Sequence, residues 1–439
     1  MSQLTLPLFA APDLGDRDPL PLRELLEADL EFHSRSSTHG SHDFHAFPAK
    51  FPPQLPRHFI EGLTRPGEVV LDPMMGSGTT ILEALAVGRR AVGLDIDPLA
   101  LRLCRVKTTS VSVETVARSG YKVAQGAEFD LHHRRSQLEN EIVRRFNEKT
   151  RQFIDYWFAF ETQLELVALI RHIERIPDSD IREFLELAFS AIVITKSGGV
   201  SLARDLAHTR PHRVVKVPRL AIPEFRKRLQ RNMRGLAAVP IVPRQVYLQF
   251  GNAEAMPLAN DSVDLIVTSP PYAANAIDYM RAHKFSLVWL GHSIDDLSAL
   301  RARYIGGEST VGQDLLPLPL HSLEMVQRIT HIDRKKGLAL HRYYSEMTRV
   351  LTGAFRVLKP RGAAVFVVGS STMRGIDTQT HICLGEIGHS IGFELDGIAR
   401  RSLDRNRRIM PARARGARQS QIEERMHEEY VIGFVKPAS

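Results

Sequence analysis

The chain has 439 residues, enough for two or three domains and a large core, and its 43% apolar and 25% charged content is that of a soluble globular protein. No apolar run approaches the ~18 residues of a membrane span, the amino terminus lacks a basic-then-apolar leader, and two cysteines, Cys104 and Cys383, form neither a disulfide framework nor a metal-ligand spacing. These features predict a cytoplasmic chain with no metal and no membrane contact, and the net charge of +8 points to a polyanionic partner.

Residues 1–30 are rich in Pro and Leu without a lasting period, which predicts a mobile tail with a short helix around Leu22–Leu30. Within it, Gln3-Leu4-Thr5-Leu6-Pro7-Leu8-Phe9 resembles the peptides by which bacterial replication and repair proteins dock on a sliding clamp. The alternative is a greasy tail packed on its own domain. A Phe- and Pro-rich stretch, His42 to Pro52, then leads into a helix predicted at Pro53–Gly62. His42 and His45 have no further ligand at a suitable spacing and read as loop hydrogen-bonders.

A strand at Glu68–Leu71 runs into Asp72-Pro73-Met74-Met75-Gly76-Ser77-Gly78-Thr79-Thr80, and Ile81, Leu82, Leu85 and Ala86 mark the apolar side of a helix that Gly88 ends. Gly76 and Gly78 let the backbone pass close beneath a ligand, and the helix amino terminus offers free N–H groups. A phosphate-binding P-loop would need a Gly-Lys-Ser/Thr ending, and the nicotinamide fingerprint a third glycine where Ile81 stands. The second strand, Arg90–Leu94, ends in Asp95-Ile96-Asp97-Pro98. A carboxylate at this place can accept from both hydroxyls of a ribose, a role assigned to Asp95, with Asp97 capping the helix Pro98–Lys107.

Residues 110–244 interrupt this alternation. Their first part has helical spacing, with Phe153, Ile154, Trp157, Leu164, Val167 and Ile170 as core. From Lys196 to Arg244 the chain has twelve Lys and Arg against Asp205 and Glu224, a local net of +10 that exceeds the charge of the whole protein. Broken by Pro211, Pro218 and Pro223, this part reads as a solvated strip along a nucleic-acid backbone rather than a helix core, with Arg210, Arg213, Lys216, Arg219, Arg226 and Lys227 as phosphate contacts. A soluble surface insertion is the alternative.

A third strand, Gln245–Phe250, precedes Gly251-Asn252. Next, Val263 to Val267 reads as a buried strand stopped abruptly by Pro270 and Pro271, so that Thr268, Ser269 and Tyr272 lie at its carboxyl end, where open α/β sheets bind ligands. A variable segment, 292–334, is followed by a helix at Tyr343–Leu358, a strand at Ala363–Gly369 and a last strand at Glu429–Val435. Between them a second basic run, Arg400 to Arg418, has eight arginines and one aspartate, and Arg405, Arg407 and Arg408 are expected on phosphates.

The motifs at 72–80 and 268–272, in this order, resemble those of the amino-methyltransferases, which move a methyl group from S-adenosylmethionine to an exocyclic base amine and share the tetrapeptide [DNS]-P-P-[YFW]. The resemblance covers roughly residues 40–107, 245–291 and 341–436 and implies a doubly wound, Rossmann-like class I methyltransferase sheet of α/β class with a helical, basic insertion. On that reading 31–109 is the cofactor half, 245–439 the catalytic half, and 110–244 with 292–334 the candidates for target recognition. It implies S-adenosylmethionine contacts from Phe47, Pro48, Lys50, Asp72, Pro73, Gly76, Ser77, Gly78, Thr79, Asp95 and Thr268, and from Asn252 where the family more often has an aspartate. Ser269 and the Pro270 carbonyl would accept the amine hydrogens, the Pro270-Pro271 turn would stiffen the site, and Tyr272 would stack on a flipped base.

Serine in place of the acid is commoner among the family's cytosine-N4 enzymes, which favours cytosine N4 over adenine N6 in double-stranded DNA. Neither cysteine follows a proline, against cytosine C5 chemistry. A methyltransferase acting on RNA or tRNA bases and a non-catalytic nucleic-acid binder remain open, as does a cognate restriction enzyme as partner.

Overall fold

The computed structural model describes residues 21–32, 44–47, 52–195, 198–204, 219–236, 245–273, 278–307, 309–310, 312–369, 371–402 and 428–438. A seven-stranded sheet lies at its centre, formed by β1 (Val69–Asp72), β2 (Arg90–Asp95), β3 (Val246–Phe250), β4 (Val263–Thr268), β5 (Leu358–Gly369), β6 (Glu394–Ser402) and β7 (Glu428–Val435). The order is β3-β2-β1-β4-β5-β7-β6, and β7 runs against the other six. The order turns back between β1 and β4, so their carboxyl ends open a crevice, the place where doubly wound sheets hold ligands.

Alternation along the strands sends side chains to two cores. Val70, Leu265, Val267, Val365 and Val431 face α1 (Leu22–Glu27), α2 (Gln54–Leu63), α3 (Thr79–Ala86) and α4 (Pro98–Thr108). Leu71, Ile266, Phe366 and Phe434 face α13 (Leu320–Ile332), α14 (Arg334–Val357) and α15 (Thr380–Ile391). Burying one such side chain contributes about 1.5–3 kcal/mol, and the register is fixed because a one-residue slip would send each of them into the opposite core, shaped for other side chains.

The insertion is a helical layer of α5 (Val113–His133), α6 (Arg135–Arg145), α7 (Glu148–Trp157), α8 (Phe160–Ile173), α9 (Ser179–Val193) and α10 (Ala221–Leu236). It shares one continuous core with Leu99 and Leu103 of α4 and with Phe285 and Trp289, which lie in and just beyond α11 (Tyr279–Leu287), so it is packed against the helices of the sheet. The last labelled helix, α12 (Ile294–Ala302), lies in the variable segment.

Four expectations are corrected. The short helix expected around Leu22–Leu30 is present as α1, but it is docked rather than part of a mobile tail, with Leu22, Leu25, Leu26 and Leu30 buried; α1 lies over Gly433 of β7, where an added Cβ would come within 2.7 Å of Leu26. The basic segment includes a packed helix, since α10 buries Ile222, Phe225 and Leu229 on one face; Pro223 sits in its first turn, where no N–H is missed. Helix α14 begins nine residues before Tyr343, because Asp333 caps it by accepting from the Lys336 N–H. Finally, Arg400 and Arg401 belong to β6 and pair with Glu428 and Glu429, so they are not free phosphate ligands. Among the described residues no helix is long and apolar enough to cross a membrane.

Candidate active site

The glycine turn after β1 is shaped by backbone demands. Gly76 has φ +47° and Gly78 φ +76°, values that favour glycine, and a Cβ at Gly78 would meet Cys104 Sγ of α4 at 2.6 Å. Lys107, also buried on α4, donates to the Ser77 carbonyl at 2.6 Å and supports the loop from below. The carbonyl end of β2 closes the turn: Asp95 Oδ2 accepts from the Gly76 N–H and Oδ1 from the Asp97 N–H, each at 2.8 Å. A lone pair on each oxygen is left for a ligand.

A cleft of about 850 Å³, open to solvent, lies over these strand ends. Of the residues expected to hold a cofactor, Phe47, Pro73, Gly76, Ser77, Thr79 and Asp95 line it, joined by Asn252 after β3. Ser269 and Pro271 line it from the end of β4. Asn252 also caps the turn at 253–255, accepting from the Glu254 N–H at 3.1 Å and donating to its carboxylate.

Other expected residues lie behind the cleft. Thr268 and Asp72 are both buried, and the Thr268 hydroxyl donates to Asp72 at 2.7 Å, tying the carboxyl ends of β4 and β1 together. Gly78 caps α3. Pro270 is buried, and Tyr272 turns toward β5 and β7: its ring lies on Gly369 and its hydroxyl donates to Glu429 at 2.8 Å. Pro48, Lys50, Arg210, Arg213, Lys216, Arg405, Arg407 and Arg408 lie outside the described residues, as does the peptide Gln3–Phe9. Arg219 is exposed just before α10, whereas Arg226 pairs with Glu128 and Lys227 with Glu224. His45 bonds Ser190 Oγ at 2.9 Å and the Ala46 carbonyl, and among the described residues no group of three His, Cys, Asp or Glu gathers to hold a metal.

The structure adds residues that sequence reading missed. Tyr279 of α11 stacks on Phe47 at 5.3 Å, and His283, one turn on, holds Asp97 at 2.6 Å. Their i, i+4 spacing just past the Pro-Pro turn was the available signal. Tyr304 and Ile305, from the variable segment, form the far wall. That wall is fastened from α14: buried Arg342 donates to the carbonyls of Ala302, Tyr304 and Ser309, and Glu346 accepts from the Gly306 N–H at 2.8 Å. Lys107 was legible too, as a lysine sharing the inward face of α4 with Ala100 and Cys104.

The electrostatics are those of a site for a cation. Burial, then the neighbouring Asp97 charge, pushes Asp95 up to about 7, and burial pushes Asp72 up to about 6 against the Thr268 hydrogen bond. Asp97 is buried as well, yet the His283 partner and hydrogen bonds hold it below the usual carboxylate range. Clustered carboxylates beside the faces of Phe47 and Tyr279 suit a positively charged ligand with a ribose, and a side chain at Gly76 would come within 3.3 Å of the Phe47 ring and fill the cradle. S-adenosyl-L-methionine, a sulfonium with a ribose, fits this donor set.

Residues 27–105 match a family model described as DNA methylase, N6_N4_Mtase. The chain is similar to the Type II methyltransferase M.MvaI of Kocuria varians, 26% identical over 82% of this chain and 83% of that one. It is also similar to M.BsoBI of Geobacillus stearothermophilus, 22% identical over 84% and 82% of the two chains, and to M.AvaI of Nostoc sp., 22% identical over 87% and 85%.

Proposed function

We propose that this chain, an S-adenosylmethionine-dependent DNA methylase of the N4/N6 amino-methyltransferase family, methylates the exocyclic N4 amine of cytosine in double-stranded DNA. The observation that carries the reading is the convergence of Ser269 and Pro271, at the end of β4, on the cleft that Gly76, Asp95 and Asn252 share. Bound there, S-adenosylmethionine supplies an electrophilic methyl group. Asp95 would accept from its ribose hydroxyls and Asn252 would contact its adenine, while Phe47 and the Gly76–Thr79 turn cradle the methionine part, with Pro48 and Lys50 on the same side.

A target base flipped out of the duplex would rest on Tyr272. The Ser269 hydroxyl and the Pro270 carbonyl would accept hydrogens from its amine and aim the nitrogen lone pair, a positioning effect that needs no covalent nucleophile. Serine in this place supports cytosine N4 over adenine N6. Residues 110–244 and 292–334 would recognise the target, with Arg219 and the basic residues at 210, 213, 216, 405, 407 and 408 on phosphates. The peptide motif at the amino terminus extends the proposal to a sliding clamp docked by Gln3–Phe9, and the similarity to Type II methyltransferases extends it to a cognate restriction enzyme and a cytoplasmic setting.

The test is transfer of labelled methyl to mixed-sequence duplex DNA and, in parallel, to total RNA, followed by mass analysis of the nucleosides. N4-methylcytosine from DNA is the expected product. N6-methyladenine would overturn the choice of base, and label in RNA alone would overturn the choice of nucleic acid.

A further inference from the structure

We propose that Glu429, held by Arg401, is a positioning residue that fixes the Tyr272 ring in place for the incoming base, an inference that rests on Tyr272 being the base platform. Three neighbouring strands contribute to this at one level. Gly369 of β5 stands opposite Glu429 of β7, which stands opposite Arg401 of β6. Gly369 is the floor: a Cβ there would lie 2.5 Å from Tyr272 Cε2 and 2.7 Å from Cδ2, so the ring rests directly on the strand backbone. Glu429 is the anchor, accepting from the Tyr272 hydroxyl through Oε1 at 2.8 Å. Arg401 is the counter-charge, donating from Nη1 to Glu429 Oε2, also at 2.8 Å.

Contact with the floor sets the plane of the ring but leaves its long axis free to swing about the Cα–Cβ bond. The hydroxyl lies at the far end of that axis, so a tether there removes the swing, and a charge-assisted hydrogen bond makes it stiff. The carboxylate is held in turn, because both of its oxygens are engaged and Glu429 and Arg401 are 7% and 1% exposed. A buried ion pair is weak grounds for stability, since desolvation offsets most of its attraction. Its place beneath the platform gives it a function. The family tetrapeptide accepts Phe or Trp at the Tyr272 position, so stacking does not require a hydroxyl, and the tether is an addition made by this chain's own β6 and β7.

The experiment uses the full chain, tritiated S-adenosylmethionine and mixed-sequence duplex DNA in single turnovers, with Tyr272→Phe, Glu429→Gln, their double variant and Tyr272→Ala. Tyr272→Phe removes only the hydroxyl and leaves the Glu429–Arg401 pair intact, so it carries the test if Glu429→Gln folds poorly. The expected result is a fall of about tenfold in the transfer step for each single variant, no further fall in the double variant, and DNA and cofactor affinities within about twofold of the parent. A merely structural role would lower thermal stability and affinity together and would add in the double variant. Parental rates for Tyr272→Phe with an inactive Tyr272→Ala would overturn the tether and keep the platform. Parental rates for Tyr272→Ala would overturn the platform itself, and the inference with it.

Discussion

Replacing Gly369 with alanine tests whether the ring of Tyr272 has to lie where it does. The residue is in β5 with ordinary extended backbone, so the substitution brings no strain in φ, and in a strand it should gain about 0.5–1 kcal/mol from reduced chain entropy. The new methyl group would lie 2.5 Å from Tyr272 Cε2, 2.7 Å from Cδ2 and 3.1 Å from Cζ. Carbon atoms rest about 3.5–4.0 Å apart, so the ring must move by about 1 Å away from the strand or the strand must give way. Overpacking of this kind costs about 1–3 kcal/mol, which leaves a net destabilisation of about 0–2.5 kcal/mol and a folded protein. Catalysis should suffer far more, because a misplacement of about 1 Å in a group that orients a reactant lowers the rate on the order of a hundredfold. The assay is single-turnover transfer at saturating cofactor and DNA, with Tm and cofactor affinity measured on the same sample. A rate within twofold of the parent at unchanged Tm would refute the reasoning.

Cofactor affinity should depend on pH through Asp95, which burial and Asp97 hold up to about 7. The ionised carboxylate is the form that accepts from both ribose hydroxyls, so Kd measured by calorimetry should fall as pH rises from 6 to 8, by up to about tenfold per pH unit below 7, and Asp95→Asn should flatten the profile. Without cofactor the same group works the other way on the fold: the folded state keeps a proton that the unfolded chain has lost, so stability present below about pH 4 is lost as pH rises through 7, which Tm against pH will show. Arg342→Met should destabilise by about 3–5 kcal/mol, since it leaves Glu346 buried and unpaired, and should weaken cofactor binding because the Tyr304 wall loses its fastening; Arg342→Met with Glu346→Gln should recover part of the loss in denaturant titrations. Thr268→Val removes the donor to Asp72 and should cost about 1–3 kcal/mol, read from the same titrations; an unchanged midpoint would mean that the bond between β1 and β4 contributes nothing.

The sequence by itself determined the alternation of strands and helices and the order of the motifs, because both are written in short-range patterns. The Pro-Pro stop after β4, the glycine at 76 and the acid at the end of β2 each follow from what one stretch of backbone can do, and Ser269, Pro271, Gly76 and Asp95 converge on one cleft. Asp97 at the head of α4 was legible for the same reason, and it caps as expected. Proline and charge hide the helix in the basic segment, because the apolar face of α10, spaced at Ile222, Phe225 and Leu229, finds its partner in distant helices. The sequence could not reveal that Arg401 and Glu429 neutralise each other, since a charged residue looks the same whether it faces a phosphate or a carboxylate. Only the pairing of β5, β7 and β6 decided that, placing residues 369, 401 and 429 side by side under a tyrosine from β4's end. Likewise the far wall of the cleft comes from a segment with no motif, held by buried Arg342 through backbone carbonyls, whose recognition leaves no mark on the sequence of the loop.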